Sequence, residues 1–284
     1  MKAKNILTKK DMIVILLCIG FLILNLGAIG NSGRLNAKKM VCISNLYKWG
    51  TIYALYADDN GGSFTPGSGV DTGLTKTWLV LLKKYYIDDK MLLCPMATKP
   101  YWKVVGQNAT TATKGPGYYL TSNFHAWGQL YLWRGMLAEL YGISGSYCEN
   151  GFACNPANDS EMWPGVMKQS DLWRTPNVAG GNNIPIMTDG MWMSSAVSGN
   201  ASLEPPAVED HPAFTVAGGI QRHCVNRHRG TVNSLFLDYS VRPVGLKELW
   251  KLKWNRNYDT ANSGPRKSNR WPDWMKGFEN FTLK

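Results

Sequence analysis

Two consecutive stretches, residues 12–30 (MIVILLCIGFLILNLGAIG) and residues 31–57 (NSGRLNAKKMVCISNLYKWGTIYALYA), decide the fold. The first contains no charged residue, and a helix of this length, at about 1.5 Å per residue, can just cross a bilayer core of about 30 Å. It predicts a transmembrane anchor over 12–30, with a basic cytoplasmic segment over 1–11 and one extracytoplasmic domain over 31–284. The alternative is a removed secretory signal peptide, which has a shorter apolar stretch and a small-residue cleavage site.

The second stretch has the periodicity of an amphipathic helix. Its apolar residues recur at steps of three and four, which places them on one helix face. The run Asp58–Gly62 (DDNGG) is a good helix stop, and residues 30–33 (GNSG) predict a kink between the two stretches. We therefore expect one long N-terminal helix whose second half packs on the body through Cys42, Leu46, Trp49, Tyr53 and Tyr56.

Length and composition indicate what kind of fold the rest of the chain can have. At about 250 residues, it is long enough to form a hydrophobic core. Twelve Trp and thirteen Tyr, with only modest charge, exclude a disordered chain. Scattered Gly and Pro without a strong helical period predict short strands and loops. The predicted fold class is therefore α+β: a long N-terminal membrane-anchored helix packed on an antiparallel sheet, with loop-rich insertions and short C-terminal helices.

The net charge of +11 and the basic, Trp-rich C-terminal region raise the question of nucleic-acid or anionic-polymer binding. The apolar residues of this region nevertheless fall at helical spacing, in 246–254 and again in 271–278. The lysines between them are then the solvated faces of packed helices. We expect no nucleic-acid partner.

One histidine and two aspartates form the candidate site. His228 lies ten positions before Asp238, with a predicted strand (231–237) between them, and a second predicted strand ends in Asp189. Three interpretations are open: a structural clasp between chain segments, a metal site, and acid–base chemistry. No nucleophile elbow, glycine-rich phosphate loop or HExxH motif is present in the sequence. This favours the clasp, a non-enzymatic protein, and no cofactor or metal.

The six cysteines suggest an oxidising compartment. Cys148 and Cys154 enclose a short polar loop and form one disulfide candidate, and Cys42 with Cys94 forms a second. Zinc binding is the alternative, although the close Cys-x-x-Cys or His-x-x-x-His spacing of common zinc motifs is absent.

Two motifs carry a resemblance to a known family. A hydrophobic helix runs into residues 37–50 (AKKMVCISNLYKWG), and His228 is followed after nine residues by Asp238. In this the chain resembles type IV pilins and type II secretion pseudopilins, of the bacterial branch with a C-terminal His-x9-Asp-Gly motif. Tyr239 stands where that motif has Gly. The Gly-Phe-Thr-Leu-Ile-Glu type of prepilin cleavage site is replaced by residues 8–14 (TKKDMIV), which predicts an uncleaved N-terminus.

The resemblance implies a pilin-like domain and a structural or assembly role in a type II secretion or type IV pilus-like system. The expected partners are the lipid bilayer, other pilin-like subunits and the secretion machinery. The expected location is the inner membrane, crossed once with the N-terminus inside. The alternative function is a membrane-tethered extracytoplasmic binding module for a glycan or other polymer.

Overall fold

The computed structural model describes residues 8–67, 77–97, 99–100, 125–128, 144–159, 162, 165–198, 203–209, 219–265 and 270–278. Its first element is helix α1 (Lys9–Asp59), which begins with a capping box between Thr8 and Asp11. The helix is uninterrupted through residues 30–33, where the sequence predicted a kink.

The predicted membrane anchor is not found. Among the described residues, no helix combines the length and the hydropathy needed to cross a membrane. The membrane-anchored fold class and the single-pass location in the inner membrane are therefore wrong.

The described strands are β1 (Lys99–Pro100), β2 (His125–Gly128), β3 (Ser144–Gly145), β4 (Tyr147–Asn150), β5 (Pro185–Asp189), β6 (Ser194–Ser195), β7 (Thr231–Phe236) and β8 (Val241–Gly245). Five of them form the main sheet, in the order β6-β4-β5-β7-β8. Three of its four pairings are antiparallel, but β4 and β6 run parallel, so the sheet is mixed and the predicted antiparallel sheet is also wrong. A smaller sheet has the order β1-β2-β3.

One face of the main sheet packs against the second half of α1. The predicted helix face is buried, and Trp49 makes an edge-on contact with Trp78, with ring centroids 5.1 Å apart. Gly50 allows a close approach to β7, because a Cβ added there would lie 3.0 Å from Leu235 Cδ1. Alternation along β7 directs Leu235 to this face and Phe236 to the other.

A second core covers the opposite face of the sheet. It includes Val232 and Phe236 of β7 together with Trp250 and Trp254. The predicted C-terminal helices are short here: a 3-10 helix (Leu246–Lys251) and helix α3 (Asp273–Lys276). The remaining described helices are α2 (Trp78–Leu81) and the 3-10 turns Lys83–Tyr85, Asp89–Leu92, Gln169–Asp171, Gly181–Asn183 and Ile220–Arg222.

Candidate metal centre

Four side chains from distant parts of the sequence meet where α1 crosses the sheet. Cys42 lies on α1, Cys94 follows the 3-10 turn Asp89–Leu92, Asp189 ends β5, and His228 precedes β7. One nitrogen, oxygen or sulfur atom from each lies within 4.8 Å of the others, and all four residues are buried. We call these four residues the Cys–His–Asp cluster.

The distances within the Cys–His–Asp cluster are short. Cys42 Sγ lies 3.3 Å from Asp189 Oδ1, and His228 Nε2 lies 3.2 Å from Asp189 Oδ2. Cys94 Sγ lies 3.4 Å from His228 Nε2. The carboxylate of Asp189 thus contacts both Cys42 and His228, and His228 connects it to Cys94.

Backbone geometry holds His228 in place. Arg229 and Gly230 both have positive φ, of 55° and 83°, which turns the chain sharply into β7. The Gly230 N–H donates to Asn226 Oδ1, and the Thr231 hydroxyl donates to the His228 carbonyl at 2.8 Å. The imidazole is therefore presented by a tight, internally bonded turn.

Asp189 is fixed by groups outside the cluster. The Asn233 N–H donates to Asp189 Oδ2 at 2.8 Å, and Arg227 Nη1 lies 3.8 Å from Asp189 Oδ1. The Arg227 guanidinium is itself buried and donates to the carbonyls of Ser146 and Gly190. Each charge of this buried ion pair thus has hydrogen-bond partners, which a buried pair needs.

The pKa values of the cluster shift in different directions. Burial lowers the pKa of His228, but the Asp189 carboxylate outweighs it and raises this pKa to about 9. Burial raises the pKa of the Cys94 thiol, but hydrogen bonds with Cys42 and His228 lower it to about 7. Burial, together with Cys94 and Asp189, raises the pKa of Cys42 well above its usual range. Cys94 is therefore the more readily ionised thiol.

The structure brings together only part of the predicted His–Asp set. His228 and Asp189 are in contact, but Asp238 lies in the exposed turn after β7, where its Oδ1 accepts from the Ser240 N–H. His228 and Asp238 flank opposite ends of a six-residue strand, which spans about 20 Å at 3.3 Å per residue. The strand between His228 and Asp238 therefore keeps the two side chains apart.

The two predicted disulfides also have different outcomes. All six cysteines are free thiols. Cys42 and Cys94 do lie together, as half of the cluster. Cys148 and Cys154 are on opposite faces of the sheet: Cys148 Sγ lies 3.8 Å from His223, which packs on Trp254, whereas Cys154 belongs to the core beneath α1. The structure therefore does not bring Cys148 and Cys154 together.

Two sulfurs, one imidazole nitrogen and one carboxylate oxygen form a donor set that divalent transition metals prefer. The sequence predicted the nearness of His228 to Asp189 and the pairing of Cys42 with Cys94. It did not predict that the two pairs form one cluster, because no short motif contains residues 42, 94, 189 and 228.

A buried amide lies next to the cluster. Asn233 lies two residues before Leu235 in β7, so its side chain is on the same face of the sheet and faces α1. Its carboxamide is buried, and neither its oxygen nor its nitrogen has a hydrogen-bond partner among the described residues.

Comparisons of the chain with protein-family models, with curated proteins and with solved structures found no match in any of the three.

Proposed function

We propose that this protein is a non-enzymatic, pilin-like assembly subunit whose first helical half packs against the same segment of other copies. The single observation that carries the proposal is an exposed apolar segment of α1, residues 12–24. Its large apolar side chains are between 44% and 75% exposed. They are Met12, Ile13, Val14, Ile15, Leu16, Leu17, Ile19, Phe21, Leu22, Ile23 and Leu24.

The exposed apolar segment is apolar on every side of the helix. Its apolar residues are nearly consecutive, and successive residues of a helix point in directions about 100° apart. A helix that is hydrophobic all round is normally buried, and an exposed apolar surface of this kind marks an interaction site. One flat docking partner covers only one side, whereas a bundle of identical helices covers all of them. This favours other copies of the chain as the partner.

The buried state of the Cys–His–Asp cluster supports a non-enzymatic role. Its four residues are at most 7% exposed, so a substrate has no direct access to the imidazole or the thiols. A catalytic centre needs an open position at which the reacting group can bind.

The binding-module alternative has one observation in its favour, a polar cleft of about 590 Å³ whose lining includes Asp171, Asn257 and Tyr258. Asn257 already donates to Asp171, and Tyr258 is only 4% exposed. Among the described residues, the cleft therefore presents no open aromatic face on which a sugar ring could stack. Assembly through α1 is better supported.

Cys18 provides the test, because it is exposed within the apolar segment while the other five cysteines are buried. We expect its alkylation by a maleimide to slow as the protein concentration rises, in parallel with oligomers in sedimentation velocity. Leu16→Asp should restore fast alkylation and monomers. Leu55→Asp introduces the same change at an exposed leucine in the second half of α1, and should leave assembly intact.

Two results would count against assembly. One is a wild-type protein that stays monomeric with a constant Cys18 alkylation rate at every concentration. The other is an equal effect of Leu16→Asp and Leu55→Asp, since the interaction would then not be specific to the apolar segment.

A further inference from the structure

We propose that Cys42, Cys94, Asp189 and His228 bind one Zn²⁺ ion, which ties α1 to the sheet. The site is built from three separate segments of the body and one position on the helix. It is independent of the assembly surface, which lies in another part of α1, so the two proposals can fail separately.

The donor distances match the edges of a zinc tetrahedron. Zinc binds sulfur at about 2.3 Å, nitrogen at about 2.0–2.1 Å and carboxylate oxygen at about 2.0–2.2 Å, so neighbouring donors lie about 3.3–3.8 Å apart. Cys42 Sγ and His228 Nε2 lie 3.6 Å and 3.2 Å from the same carboxylate oxygen, Asp189 Oδ2. Cys94 Sγ lies 3.4 Å from His228 Nε2, so these three separations fall at or near this range. The side chains need little rearrangement to accept the ion.

The donor types favour zinc over the hard cations. Ca²⁺ and Mg²⁺ take oxygen donors in six- to eightfold coordination, whereas thiolate and imidazole in a four-coordinate set are typical of zinc. All four donors come from the protein and all are buried, which is the closed arrangement of a structural site.

The charges balance when zinc binds. Cys42 and Cys94 each lose a thiol proton to solvent, and His228 binds as neutral imidazole after releasing any proton that it carries. Two thiolates and the Asp189 carboxylate then carry three negative charges. The ion supplies two positive charges and the buried Arg227 guanidinium, 3.8 Å from Asp189, supplies the third. The site adds no uncompensated charge to the interior.

Groups around the donors fix their orientation. The Asn233 N–H and Arg227 hold the Asp189 carboxylate, and the Cys94 N–H donates to Ser146 Oγ at 2.6 Å. Outer hydrogen bonds of this kind orient metal ligands and contribute to affinity. The clasp of His228 with Asp189 and the disulfide of Cys42 with Cys94 are the metal-free alternatives, and the test separates them.

The experiment measures metal content and thiol state of the purified full chain. We expect about one zinc per chain by elemental analysis, and six reactive thiols once the protein is unfolded in the presence of a chelator, because a disulfide of Cys42 with Cys94 would leave four. Cys94→Ser should lower the zinc content at least tenfold. Cys224→Ser removes a buried thiol outside the cluster and should keep the full zinc content.

Cobalt substitution tests the site in the wild-type protein, so the result does not depend on whether a variant folds. Replacement of zinc by Co²⁺ in the wild-type protein should give the intense visible absorption of a tetrahedral site, with a sulfur-to-cobalt charge-transfer band. Adding zinc back should remove both the visible absorption and the charge-transfer band. The stability of the wild type to heat should also fall on chelation and return with zinc, because the ion binds only the folded chain.

The proposal is overturned by a folded, metal-free protein that gives no tetrahedral cobalt spectrum. A mass two hydrogens below the fully reduced chain, with the bond mapped to Cys42 and Cys94, would assign the disulfide instead. Four reactive thiols after unfolding of the Cys18→Ser, Cys224→Ser protein, with no metal uptake by its folded form, would assign the hydrogen-bonded clasp.

Discussion

The two halves of α1 belong to one helix but differ in the burial of their side chains and in the contacts that those side chains make. Residues 12–24 expose apolar side chains all round, whereas the second half buries one regular face that includes Leu46, Trp49 and Tyr53. Helix formation alone therefore does not bury a residue. Burial requires a face that matches a partner surface, and among the residues that the structure describes the second half has both such a face and such a partner.

Polar contacts show the same difference. The second half places Trp49 Nε1 3.2 Å from the Met91 carbonyl, and the Tyr53 hydroxyl donates to Glu149 Oε1 at 2.8 Å. In the first half, Asp11 pairs with Thr8, three residues before it, in the exposed capping box. Substitutions in the second half should therefore change the stability of the body, and substitutions in the first half should leave it unchanged.

The largest expected effect is that of Trp49→Ala. Trp49 is fully buried, and its ring contacts both Trp78 and Tyr86, with centroid distances of 5.1 Å and 5.0 Å. Removing a large buried aromatic side chain costs about 3–5 kcal/mol of unfolding free energy. Leu24→Ala is the comparison change in the first half, where Leu24 is 75% exposed, and we expect an effect within about 0.5 kcal/mol, as for most surface positions. Urea unfolding of both variants measures the difference.

Equal losses in the two variants would contradict the comparison, because they would mean that the first half packs on the body as closely as the second. A loss below about 1 kcal/mol for Trp49→Ala would contradict the buried position of its ring.

The second prediction concerns the pH dependence of stability and Glu149. Burial raises the pKa of this carboxyl from 4.5 to about 8, although the bond from Tyr53 opposes the shift. The folded chain thus holds a proton that the unfolded chain releases above about pH 4.5. Stability from this group is fully present below that pH and is lost as the pH rises towards 8, by at most about 1.4 kcal/mol per pH unit.

Glu149→Gln removes this titration but keeps an acceptor for the Tyr53 hydroxyl. We expect the unfolding free energy of the variant, relative to wild type, to rise between pH 5 and pH 8. Other groups titrate in both proteins and cancel in the difference. Parallel pH profiles of the two proteins, measured by urea unfolding, would show that Glu149 is not a buried neutral acid.

Several features of the fold could be predicted from the sequence because they are local. The three- and four-residue steps from Cys42 to Tyr56 identify the buried face of α1. The predicted strands before Asp189 and after His228 agree with β5 and β7. Periodicity reports which side of an element is apolar, and that is sufficient to find the face that packs.

Features that depend on tertiary packing could not be predicted in this way. The Cys–His–Asp cluster joins residues 42, 94, 189 and 228, and its geometry exists only once α1 crosses the sheet. The pairing of Cys148 with Cys154 relied on loop length alone. Alternation along β4 sends Tyr147 and Glu149 towards α1, and therefore sends Cys148 to the other face.

The smallest expected effect compares two glycines of α1. A Cβ added at Gly33 meets no atom within 4 Å, whereas one added at Gly50 lies 3.0 Å from Leu235 Cδ1 and 3.6 Å from the Tyr239 carbonyl oxygen. Alanine in a helix interior is more favourable than glycine by about 0.5–1 kcal/mol. Gly33→Ala should therefore slow hydrogen exchange of the amides around it by about two- to fivefold.

At Gly50 the crowding of an added methyl group costs about 1–3 kcal/mol and outweighs the same gain, so Gly50→Ala should lower the unfolding free energy. A stabilised Gly50→Ala variant would mean that Leu235 moves aside freely, and that the contact between α1 and β7 is looser than the close approach at Gly50 indicates.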